Sequence, residues 1–285
     1  MRGLAERLTD STVRPHSGRY VEMIRNGSAV GVVSVGRPLF GALDALPSEA
    51  ALIWVKTDGL HVLPDTGVGI ETQAATSADE LTAIMPTGPL LILAFSYGGP
   101  LALALALRLR QVERRALTLL LLEPRSPGPP TSRRPRADES VAARARRHYD
   151  ALSHSRPNRW VPYVWERAHN RIGHLVTGWR LRTGRPVSAE RRWDYFVPTM
   201  IRQAQSYTPD TRQDADLYLV GGVEWLDRHR PRWRALVTTE PQTHVMPGRP
   251  THQQIVEPSH SRVWTTLVRK LVEKQLASSD APGHL

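Results

Sequence analysis

Four short, almost wholly apolar runs constrain this chain more than any other feature: VGVVSV at 30–35, ALIWV at 51–55, LLILA at 90–94 and ALTLLLL at 116–122. Each has the length of a strand, and a strand that is apolar on both faces must be covered on both. Helical spacing fills the intervals. Residues 39–47 (LFGALDALP) carry it, as do 77–85 (SADELTAIM), where Ser77 and Glu80 have capping-box spacing, and so does the Leu/Ala run over 100–111. Strand and helix in alternation predict the α/β class, a mostly parallel sheet with helices on both faces.

At Pro124 the pattern breaks into PRSPGPPTSRRPRADES, whose five prolines disfavour a sheet. The text then turns helical and aromatic from 141 to about 206, with Trp160, Trp165, Trp179 and Trp193 supplying half of the eight tryptophans. Strand grammar returns at 216–220 (DLYLV) and 235–237, on either side of a Trp- and Arg-bearing helix, and 263–276 reads as a closing amphipathic helix. Because the sheet pattern resumes, residues 125–205 read as an insertion within one domain spanning 1–285. The formal charge is +11, and 125–205 hold 17 Lys+Arg against 6 Asp+Glu, which is the whole surplus. A basic insertion over something anionic is one reading and an Arg-rich composition the other.

Several function classes drop out. The longest apolar run covers only 101–107, far short of the roughly 20 residues that cross a bilayer. With no cysteine, thiol nucleophiles, disulfides and cysteine-ligated metals are excluded, and a reducing cytoplasm is the default location. Residues 1–20 do not read as a secretory signal. The spacings of His148, His154, His169 and His174 lack carboxylates in ligand register, so no metal site is expected.

Chemistry concentrates at 91–99, LILAFSYGG. A strand ends, Ser96 follows, two glycines come next and a helix begins at once, the context in which a nucleophilic serine sits on a tight turn. A serine needs a base and the base an acid. Glu123 stands at the tip of the strand ALTLLLL, pointing across the same sheet edge, with Asp227 as the alternative acid. His252 lies in MPGRPTHQQIVEP, a loop before the last helix, with His244 as the alternative base. The order Ser96, Glu123, His252 is that of an α/β-hydrolase. The backbone N–H of Tyr97 would face a developing oxyanion; the second donor would be Gly36 or Arg37, since Pro38 has no N–H.

The run 88–109, GPLLILAFSYGGPLALALALRL, resembles the elbow of the thioesterase domains that end nonribosomal peptide and polyketide synthases. YVEMIRNGSAVGVVSVG resembles the opening strands of that family, Tyr207-Thr208-Pro209 its Y-x-P, and PGRPTHQQIVEP its histidine loop. The likeness implies an α/β-hydrolase fold with 125–205 as a helical lid, Ser96 as the acyl-accepting nucleophile, His252 as base and Glu123 as acid. It implies further that an acyl or peptidyl carrier protein delivers the chain as a phosphopantetheine thioester, with no cofactor of the enzyme's own. Hydrolysis or macrocyclisation would follow. Arg133, Arg134, Arg136, Arg144, Arg146 and Arg147 could then steer an acidic carrier, and the four lid tryptophans could line an acyl pocket or form the lid's own small core.

Three positions depart from the family. Glu123 stands where it usually has Asp, Gly36-Arg37-Pro38 replaces its glycine-rich oxyanion segment, and in the histidine loop three residues rather than one separate Gly248 from His252. A serine esterase acting on free esters is the rival enzyme. A catalytically dead hydrolase fold that binds nucleic acid or an acidic partner is the rival binder, although no nucleic-acid motif is present.

Overall fold

The computed structural model describes residues 18–39, 46–62, 69–112, 115–128 and 172–279. Strands β1 (Val21–Arg25), β2 (Val30–Val35), β3 (Ala50–Val55), β4 (Leu90–Phe95), β5 (Leu117–Leu122), β6 (Asp216–Gly221) and β7 (Gln242–Val245) form one sheet in the order β1-β3-β2-β4-β5-β6-β7. β1 runs antiparallel to β3, and every other neighbouring pair is parallel. Every residue of β2, β4 and β5 is buried, which is why these strands read as unbroken apolar runs rather than alternating ones.

Helices α1 (Ile70–Ile84) and α2 (Gly98–Val112) lie in the β3–β4 and β4–β5 connections. Two more follow the later strands, α5 (Val223–Arg234) after β6 and α6 (Pro258–Ser279) after β7. α6 presents Trp264, Val268, Leu271 and Val272, at helical spacing, to one face of the sheet. There they pack with Val32, Leu91, Leu93, Leu120 and Leu122. With helices in the connections of a mostly parallel sheet, the molecule has the α/β-hydrolase fold that the sequence predicts.

The chain divides into two compact units, residues 1–126 with 209–285, and residues 127–208. The second contains a helix over 172–182, α3, and the helix α4 (Ala189–Ser206), whose N-cap Ser188 accepts a hydrogen bond from the Arg191 N–H.

Three expectations change. Residues 235–237 are not a strand of the sheet: Ala235 caps α5, and Val237 makes only an isolated bridge to Gln213. The last strand is QTHV instead, a polar edge strand paired with β6 alone, which an apolar search does not detect. Ser77 and Glu80 do not cap a helix start, because α1 begins at Ile70. The Glu80 carboxylate instead accepts the backbone N–H groups of Arg19, Tyr20 and Val21 at 2.9, 2.9 and 2.8 Å. Most of the helix expected over 39–47, and all of the helical text over 141–171, lies outside the described residues.

Candidate active site

β4 stops at Phe95 and α2 starts at Gly98, leaving two residues to reverse the chain. Ser96 does so with φ 55°, in the left-handed region that costs a non-glycine residue about 1–3 kcal/mol. Backbone hydrogen bonds hold it there. The Ser96 N–H donates to Leu122 O at 3.1 Å, and its carbonyl accepts from Arg125 N at 2.7 Å and Gly99 N at 3.3 Å. The glycines after it are sterically required: a Cβ on Gly98 would lie 2.7 Å from Val35 O, and one on Gly99 would lie 2.4 Å from Pro124 Cβ. Both distances are below any normal carbon contact.

Glu123 is the residue after β5 and also has positive φ, 36°, with its N–H donating to Val220 O at 2.9 Å. Its carboxylate is divided between two partners. Oε1 accepts the Gly222 N–H at 3.0 Å, and Oε2 lies 2.8 Å from His252 Nδ1. Room for the longer acid comes from Gly221, where a Cβ would fall 2.9 Å from Glu123 Cγ. His252 Nε2 is 2.8 Å from Ser96 Oγ. With the Nδ1 proton directed at the carboxylate, Nε2 is left to accept the Ser96 hydroxyl proton.

The imidazole is further fixed by Phe95, which stacks on it with centroids 4.6 Å apart. The wider spacing of the histidine loop is taken up by a left-handed turn at Gly248 and Arg249, φ 76° and 50°. Beyond the turn, Gln254 Oε1 accepts the Thr251 N–H at 2.8 Å. The His252 side chain is 34% exposed and that of Glu123 only 8%, so the acid is sealed while the base reaches the rim where a leaving group would depart.

The oxyanion candidates narrow. Gly36 donates its N–H to Val55 O at 2.8 Å, so that group is committed to the sheet, which leaves the N–H groups of Arg37 and Tyr97 as the candidates. The Tyr97 phenol is itself buried, and burial pushes its pKa up to about 12 against smaller opposing effects from Thr57 and Arg37, so it stays neutral. On the far side of the loop, Arg37 Nη1 donates to Gln253 Oε1 at 3.3 Å, tying the candidate oxyanion loop to the histidine loop.

The alternative acid and base are not brought in. The acceptor at His252 Nδ1 is Glu123, whereas Asp227 lies on α5. His244 sits in β7, stacks on Tyr218 at 6.0 Å and has its pKa lowered by burial and by Lys270. Trp179 and Trp193 are 49% and 38% exposed, and Trp179 carries the Arg185 guanidinium 4.4 Å from its ring centroid. Trp160, Trp165, Arg133, Arg134, Arg136, Arg144, Arg146 and Arg147 lie outside the described residues. Among the described residues, no group of three or more His, Asp or Glu could hold a metal, and no helix is long and apolar enough to cross a membrane.

Sequence reasoning missed the Gly222 N–H and the Phe95 ring. The Gly221-Gly222 pair at the end of an apolar run was the available signal for the first.

Neither a protein-family model nor a curated protein matches the sequence. Solved structures do match. A four-domain nonribosomal peptide synthetase bound to AMP and glycine aligns with TM-score 0.57 and 18% identity, over 95% of this chain and 21% of that one. The NocB thioesterase domain from the nocardicin cluster aligns with TM-score 0.54 and 14% identity, over 90% of this chain and 100% of that domain. The SrfTE thioesterase domain, described for cyclization of the lipopeptide antibiotic surfactin, gives 0.51 and 13% over 89% and 96%. This chain is thus similar in fold to thioesterase domains of nonribosomal peptide synthesis along most of its length.

Proposed function

We propose that this protein is a serine thioesterase that releases an acyl or peptidyl chain from a carrier protein's phosphopantetheine thioester through an acyl-enzyme on Ser96. The observation that carries the reading is the unbroken hydrogen-bonded chain from Ser96 Oγ through both nitrogens of His252 to Glu123, on a strained turn between strand and helix.

The steps follow from the geometry. Ser96 Oγ attacks the thioester carbonyl as His252 Nε2 takes its proton, and Glu123 Oε2 stabilises the imidazolium through Nδ1–H. Gly222 keeps the carboxylate from rotating away, since its N–H occupies the other oxygen. The backbone N–H groups of Tyr97 and Arg37 stabilise the oxyanion. The C–S bond then breaks, and the departing thiolate takes the proton from His252. In the second half, His252 deprotonates water, giving a free acid, or a hydroxyl or amine of the bound chain itself, giving a ring, and Ser96 is restored.

Fluorophosphonate labelling of the intact protein, followed by peptide mapping, tests the armed serine. The expected result is one adduct, on Ser96, absent from Ser96→Ala; well-folded protein that takes no label would overturn the reading. Turnover of carrier-borne thioester against free ester then separates the thioesterase from a simple esterase.

A further inference from the structure

On α5, Trp225, Arg228, His229 and Arg232 fall at i, i+3, i+4 and i+7 and share one face of the helix. The Trp225 and His229 rings stack at 4.8 Å with their planes 18° apart. His229 Nδ1 lies 2.9 Å from Ser126 Oγ, and Ser126 is buried, 6% exposed, although polar. This face adjoins the triad at two points. A Cβ at Gly221 would lie 3.0 Å from the Trp225 ring and 2.9 Å from Glu123 Cγ, so the two side chains flank one glycine. Arg125, next to Ser126, donates its backbone N–H to Ser96 O at 2.7 Å.

The arginines of α5 divide by face. Arg230 and Arg234 share Glu240 as an ion-pair partner. Arg228, on the Trp225–His229 face, and Arg125 beside it make no ion pair among the described residues. Burial, followed by the charges of Arg228, Arg232 and Arg125, pushes the pKa of His229 below the ordinary histidine value, with Glu123 the one opposing charge. The ring is therefore neutral near pH 7, and the guanidinium groups of Arg125, Arg228 and Arg232 act on an imidazole that is hydrogen-bonded to a buried hydroxyl. Guanidinium groups bind phosphate through paired N–H donors.

We propose that Arg125, Arg228 and Arg232, grouped around the Ser126–His229 pair, form a subsite for a phosphate ester. This rests on the thioesterase reading, in which the phosphate is that of the arm bearing the thioester. The spacing suits such an arm, because Arg232 lies about 15 Å along the helix axis from Gly222, the residue that anchors the triad acid.

The test is binding to the full chain of phosphopantetheine and of pantetheine, which lacks the phosphate, followed through the His229 imidazole resonances. Phosphopantetheine is expected to bind about tenfold more tightly and to raise the His229 pKa, as a neighbouring anion must. R228Q/R232Q removes both effects. R125Q, at an exposed side chain, weakens them and serves if the double variant does not fold. Equal binding of the two ligands, or a preference that survives the substitutions, overturns the subsite.

Kinetics separate this from the parent reading. R228Q/R232Q should raise KM about fivefold on acyl-carrier and acyl-CoA thioesters, leaving kcat unchanged and N-acetylcysteamine thioesters unaffected. A loss on acyl-CoA alone supports the subsite with CoA as the source. A loss on carrier thioesters alone places the arginines against the carrier's surface and overturns it. If no thioester is turned over, the thioesterase reading fails, while phosphate binding is still read directly.

Discussion

Two serine–histidine pairs stand near each other in this molecule, and their surroundings are opposite in charge. Ser96 and His252 are 2.8 Å apart, Ser126 and His229 2.9 Å apart. The difference lies in what surrounds them. His252 meets Ser96 through Nε2 and gives Nδ1 to Glu123, so the proton it accepts is matched by a carboxylate on the same ring. His229 spends Nδ1 on its serine and faces Arg125, Arg228 and Arg232, which oppose any positive charge on it. Ser96 is held at φ 55° between a strand and a helix, whereas Ser126 is not among the residues with positive φ. A serine–histidine contact does not by itself make a nucleophile; the charge and orientation behind the histidine do.

The largest expected effect comes from making the first pair resemble the second. Glu123→Gln keeps the shape of the acid but removes its charge, and kcat on an acyl thioester should fall by about 10³–10⁴-fold with little change in KM. A loss of less than tenfold would mean that the carboxylate is dispensable. Next in size is Gly98→Ala, which forces a Cβ against Val35 O; a cost of about 1–3 kcal/mol is expected, read as a lower urea midpoint at unchanged m. Ser126→Ala should leave fluorophosphonate labelling of Ser96 and turnover of N-acetylcysteamine thioesters unchanged, and a fall in either would mean that the second pair takes part in chemistry.

The smallest effect is on stability against pH. His229 and His244 both have lowered pKa values in the fold, so between those values and the ordinary 6.5 the unfolded chain binds more protons. Their contribution is complete above about pH 6.5 and is lost as pH falls through the folded values. H229Q/H244Q should therefore show a flatter urea-midpoint profile between pH 7.5 and 5, and an unchanged slope would exclude these two residues as its source.

What could be read in the sequence followed burial. β2, β4 and β5 are covered on both faces, so their runs of Val, Leu and Ile mark them, and the sharp turn at Ser96 needs glycines that are visible in the text. Glu123 was legible because it follows the last residue of an apolar strand whose neighbour carries the serine. β7 was not, since a four-residue polar edge strand obeys no such rule. The choice between Gly36 and Arg37 could not be made from the text, because the Gly36 N–H is taken by Val55 on a neighbouring strand, a matter of register and not of local sequence. The Ser126–His229 pair joins residues 103 positions apart, beyond the reach of any spacing rule.

The three backbone N–H groups held by Glu80 bear on how this protein avoids its own kind. Residues 19–21 lead into β1, the antiparallel strand at one margin of the sheet, and the carboxylate from α1 fastens that segment down. Were it released, β3 would become the margin, offering AALIWV, almost entirely buried, as an open row of unpaired backbone groups to any passing extended chain. One helix side chain thus guards against strand-by-strand self-association, a safeguard separate from the chemistry that follows β4 and β5.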